Sequence, residues 1–463
     1  MFTINEIALT TRGRIIGHAS GDVTAISTDS RSVAPGQLFV ALRGVRFNGH
    51  AFIQQVSERG VTAVLAEEQW LKSHPLPDSV TCVAVKDSLR ALGDLAAVWR
   101  QHFDIPTIAV TGSNGKTTTK EMLAAILEQT SPGLKTSGNL NNLIGLPQMI
   151  FQLRPEHCWA VLEMGMSEPG EIDRLAQIAN PRVGIVLNAL PAHLQSMGTV
   201  EAVAAAKGEL LHRISDNGLA VVNADDPRVA SLAQNPSARR ISFGIDRGEV
   251  RAREIEAMGL EGQRFLLTTP YGEARVHLNA CGRHNIYNAL AATAALLEKV
   301  PLPTIAAGLE SFSPYQGRFQ IEHLGSITLI DDSYNANPAS TKAALQTLTQ
   351  IAAPGHRIAV LGDMLELGEQ EAEAHRGIGA VAGRTVDRLY LLGPRMLEHT
   401  ATGARLTDMA ANVIFSCTSH AEIAALLSES LHEGDVILFK GSRGMAMENV
   451  SKELKAVLLS RGE

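Results

Sequence analysis

Short aliphatic and β-branched runs, each followed by polar or glycine-rich residues, recur along the chain. Up to residue 104 they stand at 37–42, 61–66 and 82–85, and an apolar-rich stretch at 89–103 reads as a helix. The pattern changes at Ile105-Pro106. Beyond it, runs at 107–110, 159–162, 183–187 and 219–222 alternate with helical stretches such as 119–128 and 200–214. Runs of this kind read as buried parallel strands joined by helical crossovers. Segment 241–280 is less regular and suggests an antiparallel insert, with a helix following at 285–297. A stretch rich in Ser, Pro and Gly, from Ser311 to Gly317, reads as a linker. A second βαβ series then runs through 327–330, 358–361, 388–392, 413–415 and 436–439. The expectation is an α/β protein of three domains. A small N-terminal α/β domain covers 1–104, a central parallel-sheet domain 105–314, and a C-terminal Rossmann-like domain 315–463.

Composition narrows the function classes. Hydrophobic residues are 45% of the 463 and charged residues 19%, which excludes a disordered chain. Lys plus Arg number 41 against 48 Asp plus Glu, and a net charge of -7 argues against a general nucleic-acid binder. Cys82, Cys158, Cys281 and Cys417 are far apart and form no CxxC pair, so neither a zinc ribbon nor a disulfide scaffold is expected. The first residues lack the basic start and apolar core of a signal peptide, and no run reaches the ~18 apolar residues of a membrane span. A cytoplasmic protein without membrane insertion is expected. No heptad pattern suggests a coiled coil, and a monomer is expected.

The strongest chemical signal follows the 107–110 run: Thr111-Gly112-Ser113-Asn114-Gly115-Lys116-Thr117-Thr118, leading into a helix. Glycines here let backbone N–H groups turn toward phosphate oxygens, and the helix N-terminus adds positive potential. Lys116 reaches β- and γ-phosphates, and the Thr117 hydroxyl suits Mg²⁺. The first glycine of the general P-loop pattern is replaced by Val110, but strand, loop, Lys-Thr and helix are all in place. An ATP site with Mg²⁺ is predicted.

Further segments stand in order along the chain: TDSR at 28–31, GNLNNLIG at 138–145, AHL at 192–194, AKGE at 206–209 and GRHN at 282–285. DDSYNAN at 331–337, GDMLELG at 362–368 and KGSR at 440–443 complete the set. With TGSNGKTTT they resemble the Mur ligases. Leu143 departs from that pattern, standing where members often carry an acidic residue.

The resemblance implies ATP-dependent amide formation through an acyl phosphate. The later motifs point to joining D-alanyl-D-alanine to UDP-N-acetylmuramoyl-tripeptide. It implies catalytic and metal roles for Glu163 and His193, both after strand runs, alongside Thr117. It makes Lys207 a carbamylated lysine, although a lysine on such a helix is ordinarily exposed. His284, Asn285, Asn288, Arg318, Asp332, Tyr334 and Asn335 join the nucleotide site. Ser30, Arg31 and the Asn48-Gly49-His50 loop are assigned to the UDP end, and Asn141 and Asn142 to the reacting end. Lys440, Ser442 and Arg443 are assigned to the dipeptide carboxylate. Two competing functions are a folylpolyglutamate synthetase and a P-loop NTPase that turns nucleotide over without an amine substrate.

Overall fold

The structure, a computed structural model, describes residues 1–18, 21–44, 47–191 and 194–461. Among these, three α/β bodies follow one another. The first is a five-stranded sheet in which Ala25–Ser27, Gln37–Val40, Ala63–Glu67 and Thr81–Val85 run parallel and Arg14–Ile16 pairs antiparallel at one edge. The helix Ser88–Gln101 closes it, capped by Asp87, whose side chain accepts from Arg90 N–H. That helix does more than end a domain. Leu92 and Leu95 belong to a single apolar cluster that continues through Leu175 and Ile178 to Ala109 and Leu162 of the central sheet. The first two bodies therefore share a core.

The central sheet has nine strands. Thr107–Thr111, wholly buried, lies between Ala160–Glu163 and Val183–Val186 and parallel to both. The chain leaves it to one side and returns on the other, so its carboxyl end is a switch point where a crevice opens. The stretch expected to be an antiparallel insert proves to be an extension of this sheet. Arg239–Gly244 pairs parallel with Leu219–Asn223, and Val250–Ala257, Gln263–Thr269 and Gly272–Leu278 continue outward, the last two pairings antiparallel. The helix Arg283–Leu296 is buried along nearly its whole length against the second face of the sheet. Its alanines at 289, 291, 292, 294 and 295 allow that close approach.

The third body is a six-stranded sheet with apolar clusters on both faces. Val436–Lys440 lies between Ile327–Asp331 and Arg357–Gly362, parallel to both, which makes a second switch point. Asp332 and Lys440 are thereby brought to neighbouring strand ends. The two switch points face one cleft of about 710 Å³. No helix of the described residues is long and apolar enough to cross a membrane.

Candidate active site

The floor of the cleft is the glycine loop. Thr111 is tied into the sheet through Oγ1, which donates to Met164 O at 2.9 Å. Asn114 is held from both sides of its backbone: its N–H donates to Asn188 Oδ1 at 2.9 Å, and Asn188 Nδ2 donates to its carbonyl at 3.1 Å. Gly115 has φ +87°, and a Cβ there would collide with Asn288 Oδ1, so only glycine fits. The helix Lys116–Leu127 begins at once. Lys116 Nζ folds back to Gly112 O at 2.7 Å. Burial pushes its ammonium down from the ordinary value, the Glu163 carboxylate opposes that, and the Arg318 charge adds to the fall. Ser113 to Thr118 line the cleft, whereas Thr111 and Gly112 lie behind it.

Glu163 ends its strand beside the loop and is 3% exposed. Its oxygens accept from neutral donors, Thr117 Oγ1 at 3.0 Å and Asn141 Nδ2 at 2.8 Å. Among the described residues no lysine or arginine forms an ion pair with it. A buried carboxylate beside a threonine hydroxyl is a hard-oxygen donor set that suits Mg²⁺. Asn141, expected at the reacting end of the substrate, is engaged in orienting Glu163. Asn142 Oδ1 accepts from Ile144 and Gly145 N–H and fixes the turn into the next helix.

Lys207 projects into the same cleft from the helix Val200–His212, whose N-cap is Thr199. It is 3% exposed, not the solvated lysine its position on a helix would suggest. Burial drives its ammonium well below the ordinary value, and the nearby Lys116 charge adds to the shift. No carboxylate pairs with it among the described residues. His193 lies outside the described residues.

The opposite wall comes from the Arg283–Leu296 helix and the third body. His284, Asn285 and Asn288 line the cleft, but the amides are committed internally. Asn285 Nδ2 donates to Cys281 O, Asn288 Nδ2 to Asn285 Oδ1, and Thr119 Oγ1 to Asn288 Oδ1. Burial lowers the His284 imidazole below its ordinary range. Arg318 stacks over the Tyr334 ring at 4.0 Å and donates to Thr117 Oγ1 at 3.3 Å. Asp332 is paired with buried Lys440 at 2.6 Å, and Lys440 also donates to Asn335 O.

The remaining expected residues are elsewhere. Ser442 Oγ donates to Ala336 O and accepts from Leu365 N–H, while Arg443 pairs with Glu448; neither lines the cleft. Ser30 and Arg31 sit on a turn of the first body, where exposed Arg31 pairs with Asp29 and lowers its carboxyl to about 2. His50 is buried with both ring nitrogens engaged, one by Asn48 Oδ1 and one by Glu67 N–H, so its ring braces the first body. Asn188 and Asn337 were not singled out from sequence. Both follow strand ends, Asn188 after Val183–Val186 and Asn337 after Ile327–Asp331, and that position was the available signal.

Comparison with known proteins matches three consecutive segments. Residues 22–100 match the Mur ligase family catalytic domain, 110–296 the Mur ligase middle domain, and 317–443 the Mur ligase glutamate ligase domain. The UDP-N-acetylmuramoyl-tripeptide–D-alanyl-D-alanine ligase of Escherichia coli is 37% identical over 98% of each chain. The crystal structure of MurF from Acinetobacter baumannii superposes with a TM-score of 0.88 at 34% identity, over 98% of this chain and 99% of that one. MurF ligase from Thermotoga maritima in complex with ADP gives 0.83 at 29% identity, over 94% and 98%.

Proposed function

The chain belongs to the Mur ligase family, and we infer that it joins D-alanyl-D-alanine to UDP-N-acetylmuramoyl-tripeptide in an ATP-dependent reaction. The γ-phosphoryl group passes to the peptide carboxylate, and the dipeptide amine attacks the resulting acyl phosphate, releasing phosphate beside ADP. One observation carries this reading: a phosphate loop, the buried carboxylate of Glu163 and the buried amine of Lys207 converge in one cleft.

Each residue then has a task. The glycine-loop N–H groups and Lys116 hold the phosphates and supply fixed positive charge where charge develops. Thr117 and Glu163 would hold Mg²⁺ together with His193. That ion supplies charge neutralisation between phosphate oxygens. Asn141 keeps Glu163 aimed, and Arg318 brings a charge from the third body to the phosphate end. Lys207 is the carbamylated residue. Burial favours its uncharged amine, the form that adds CO₂ and loses a proton to give an anionic carbamate. His284 meets the base, with Asn285 and Asn288 shaping the wall around it, and Asp332, Tyr334 and Asn335 meet ribose or base. Asn142 lies toward the sugar-peptide. Of Lys440, Ser442 and Arg443, Lys440 is the one that lines the cleft, where it would meet the dipeptide carboxylate beside Asp332.

The first body, 1–104, holds the UDP end through Ser30, Arg31 and the Asn48-Gly49-His50 loop. The central body, 105–314, holds ATP, and the third, 315–463, closes on nucleotide and dipeptide. We propose a monomer that acts in the cytoplasm, where UDP-linked precursors are made. ADP release measured with and without each substrate tests the assignment. Sustained turnover is expected only when the nucleotide tripeptide and D-alanyl-D-alanine are both present. Turnover without an amine acceptor would favour an NTPase, and turnover with a folate and glutamate a folylpolyglutamate synthetase.

A further inference from the structure

Asn114 in the glycine loop and Asn337 in the third body are 223 residues apart, yet their side-chain amides face one another. Asn337 Nδ2 donates to Asn114 Oδ1 at 2.7 Å, and Asn114 Nδ2 donates back to Asn337 Oδ1 at 3.3 Å. Among the described residues, the side-chain hydrogen bonds joining this loop to anything beyond residue 317 are these two and Arg318 Nη2 to Thr117 Oγ1.

Asn337 has a second duty as N-cap of the helix Pro338–Leu348, its Oδ1 accepting from Ser340 N–H at 2.9 Å. Capping needs only an acceptor, and Ser, Thr or Asp would serve as well. The amide adds a donor, and that donor goes to the phosphate loop. On the other side, Asn188 already fixes the Asn114 backbone at both its N–H and its carbonyl. The Asn114 side chain is not needed for the shape of the loop and is spent on the third body. The pairing accounts for an amide at both positions.

We propose that Asn337 is a positioning residue for the ligase reaction. Paired with Asn114, it sets the third body in the register that brings Arg318 to the phosphate end of the cleft. This rests on the ligase reading above. The pair consists of two neutral, partly exposed hydrogen bonds, modest enough to part when the cleft must open for product release.

The test is a double-mutant cycle on full-length enzyme. Asn337→Ser keeps a capping oxygen but is too short to reach Asn114, and Asn114→Ala leaves the backbone bonds to Asn188 available. Each single variant is expected to lose about tenfold in kcat/KM for ATP, as two modest hydrogen bonds allow. The double variant should lose no more than either single one. The melting temperature of Asn337→Ser should stay within about 2 °C of wild type, since the cap survives. If it falls further, Asn337→Thr, which also caps, takes its place. Losses that multiply to about a hundredfold, or a single variant within twofold of wild type, would overturn the proposal. Wild-type enzyme that needs no dipeptide for sustained ADP release would sink the ligase reading and this inference together. Dipeptide-dependent turnover with multiplying losses would remove only the pairing.

Discussion

Lys207 is the residue whose environment contradicts its sequence appearance most sharply. Val203, Leu210 and Leu211 around it are buried and the lysine is buried with them, 3% exposed. An ammonium in that position costs heavily unless it is paired or discharged. Here burial and the Lys116 charge act in the same direction, both favouring loss of the proton. A neutral amine is nucleophilic, and the proposed carbamate would bring negative charge into the cleft that Glu163 and Thr117 also line, where a divalent cation needs oxygen ligands. Lys207→Ala is therefore expected to lose at least about a hundredfold in kcat, the scale of removing a charge that acts on the transition state. Acetate, small enough for the vacated space, should restore part of it. Full activity of Lys207→Ala in buffer freed of carbon dioxide would return the residue to a packing role.

At the scale of elements, the long buried strands were legible and the short or half-exposed ones were not. Runs such as 107–110 and 436–439 are apolar on both faces, and the structure finds Thr107–Thr111 and Val436–Lys440 there. Arg14–Ile16 and Ala25–Ser27 are three residues each, too short to show a period. Val250–Ala257 is exposed along most of its length, which is why the edge of the central sheet looked like an insert. In the site, the glycine loop and Glu163 were readable because backbone demands and strand-end position leave a local mark. The pairing of Asn114 with Asn337 leaves none, since neither neighbourhood requires it.

Two buried histidines brace elements in a way that makes stability depend on pH. His50 ties its loop to Glu67 N–H, and His375 Nε2 accepts from Met364 N–H while Nδ1 meets Glu371 O. Burial lowers both from the ordinary value of 6.5. The unfolded chain then takes up protons near pH 6.5 that the folded chain refuses until lower pH, so stability falls as pH drops through that window. Urea unfolding should show a lower midpoint at pH 5.5 than at 7.5, with the difference reduced in the double variant His50→Gln, His375→Gln. An unchanged midpoint in the wild type across that range would show that neither ring is held neutral.

Across the whole molecule, the three bodies are joined unequally, and that inequality organises the reaction. The first and central bodies share one apolar cluster, and Gln148 Nε2 donates to Thr28 Oγ1 at 2.6 Å, beside the turn that carries Arg31. The third body meets the glycine loop through the Asn114–Asn337 pair and Arg318. In the proposed reaction the first and central bodies form the platform for the nucleotide sugar, and the third, whose apolar cluster takes in Cys281 and Leu260 of the central body, forms the wall over ATP. Arg31 stands on the platform, outside the cleft, and its side chain is 87% exposed with only Asp29 to release before it can meet a phosphate. Losing one charge-assisted contact with the UDP substrate corresponds to about tenfold in affinity or more. Arg31→Ala is therefore expected to raise KM for the nucleotide tripeptide about tenfold while KM for ATP stays within about twofold. Because the turn lies on the first body and outside the cleft, kcat should change little once the substrate saturates. A matching rise in KM for ATP would mean that the turn reaches the nucleotide after all, and that the two ends of the reaction are not held by separate bodies.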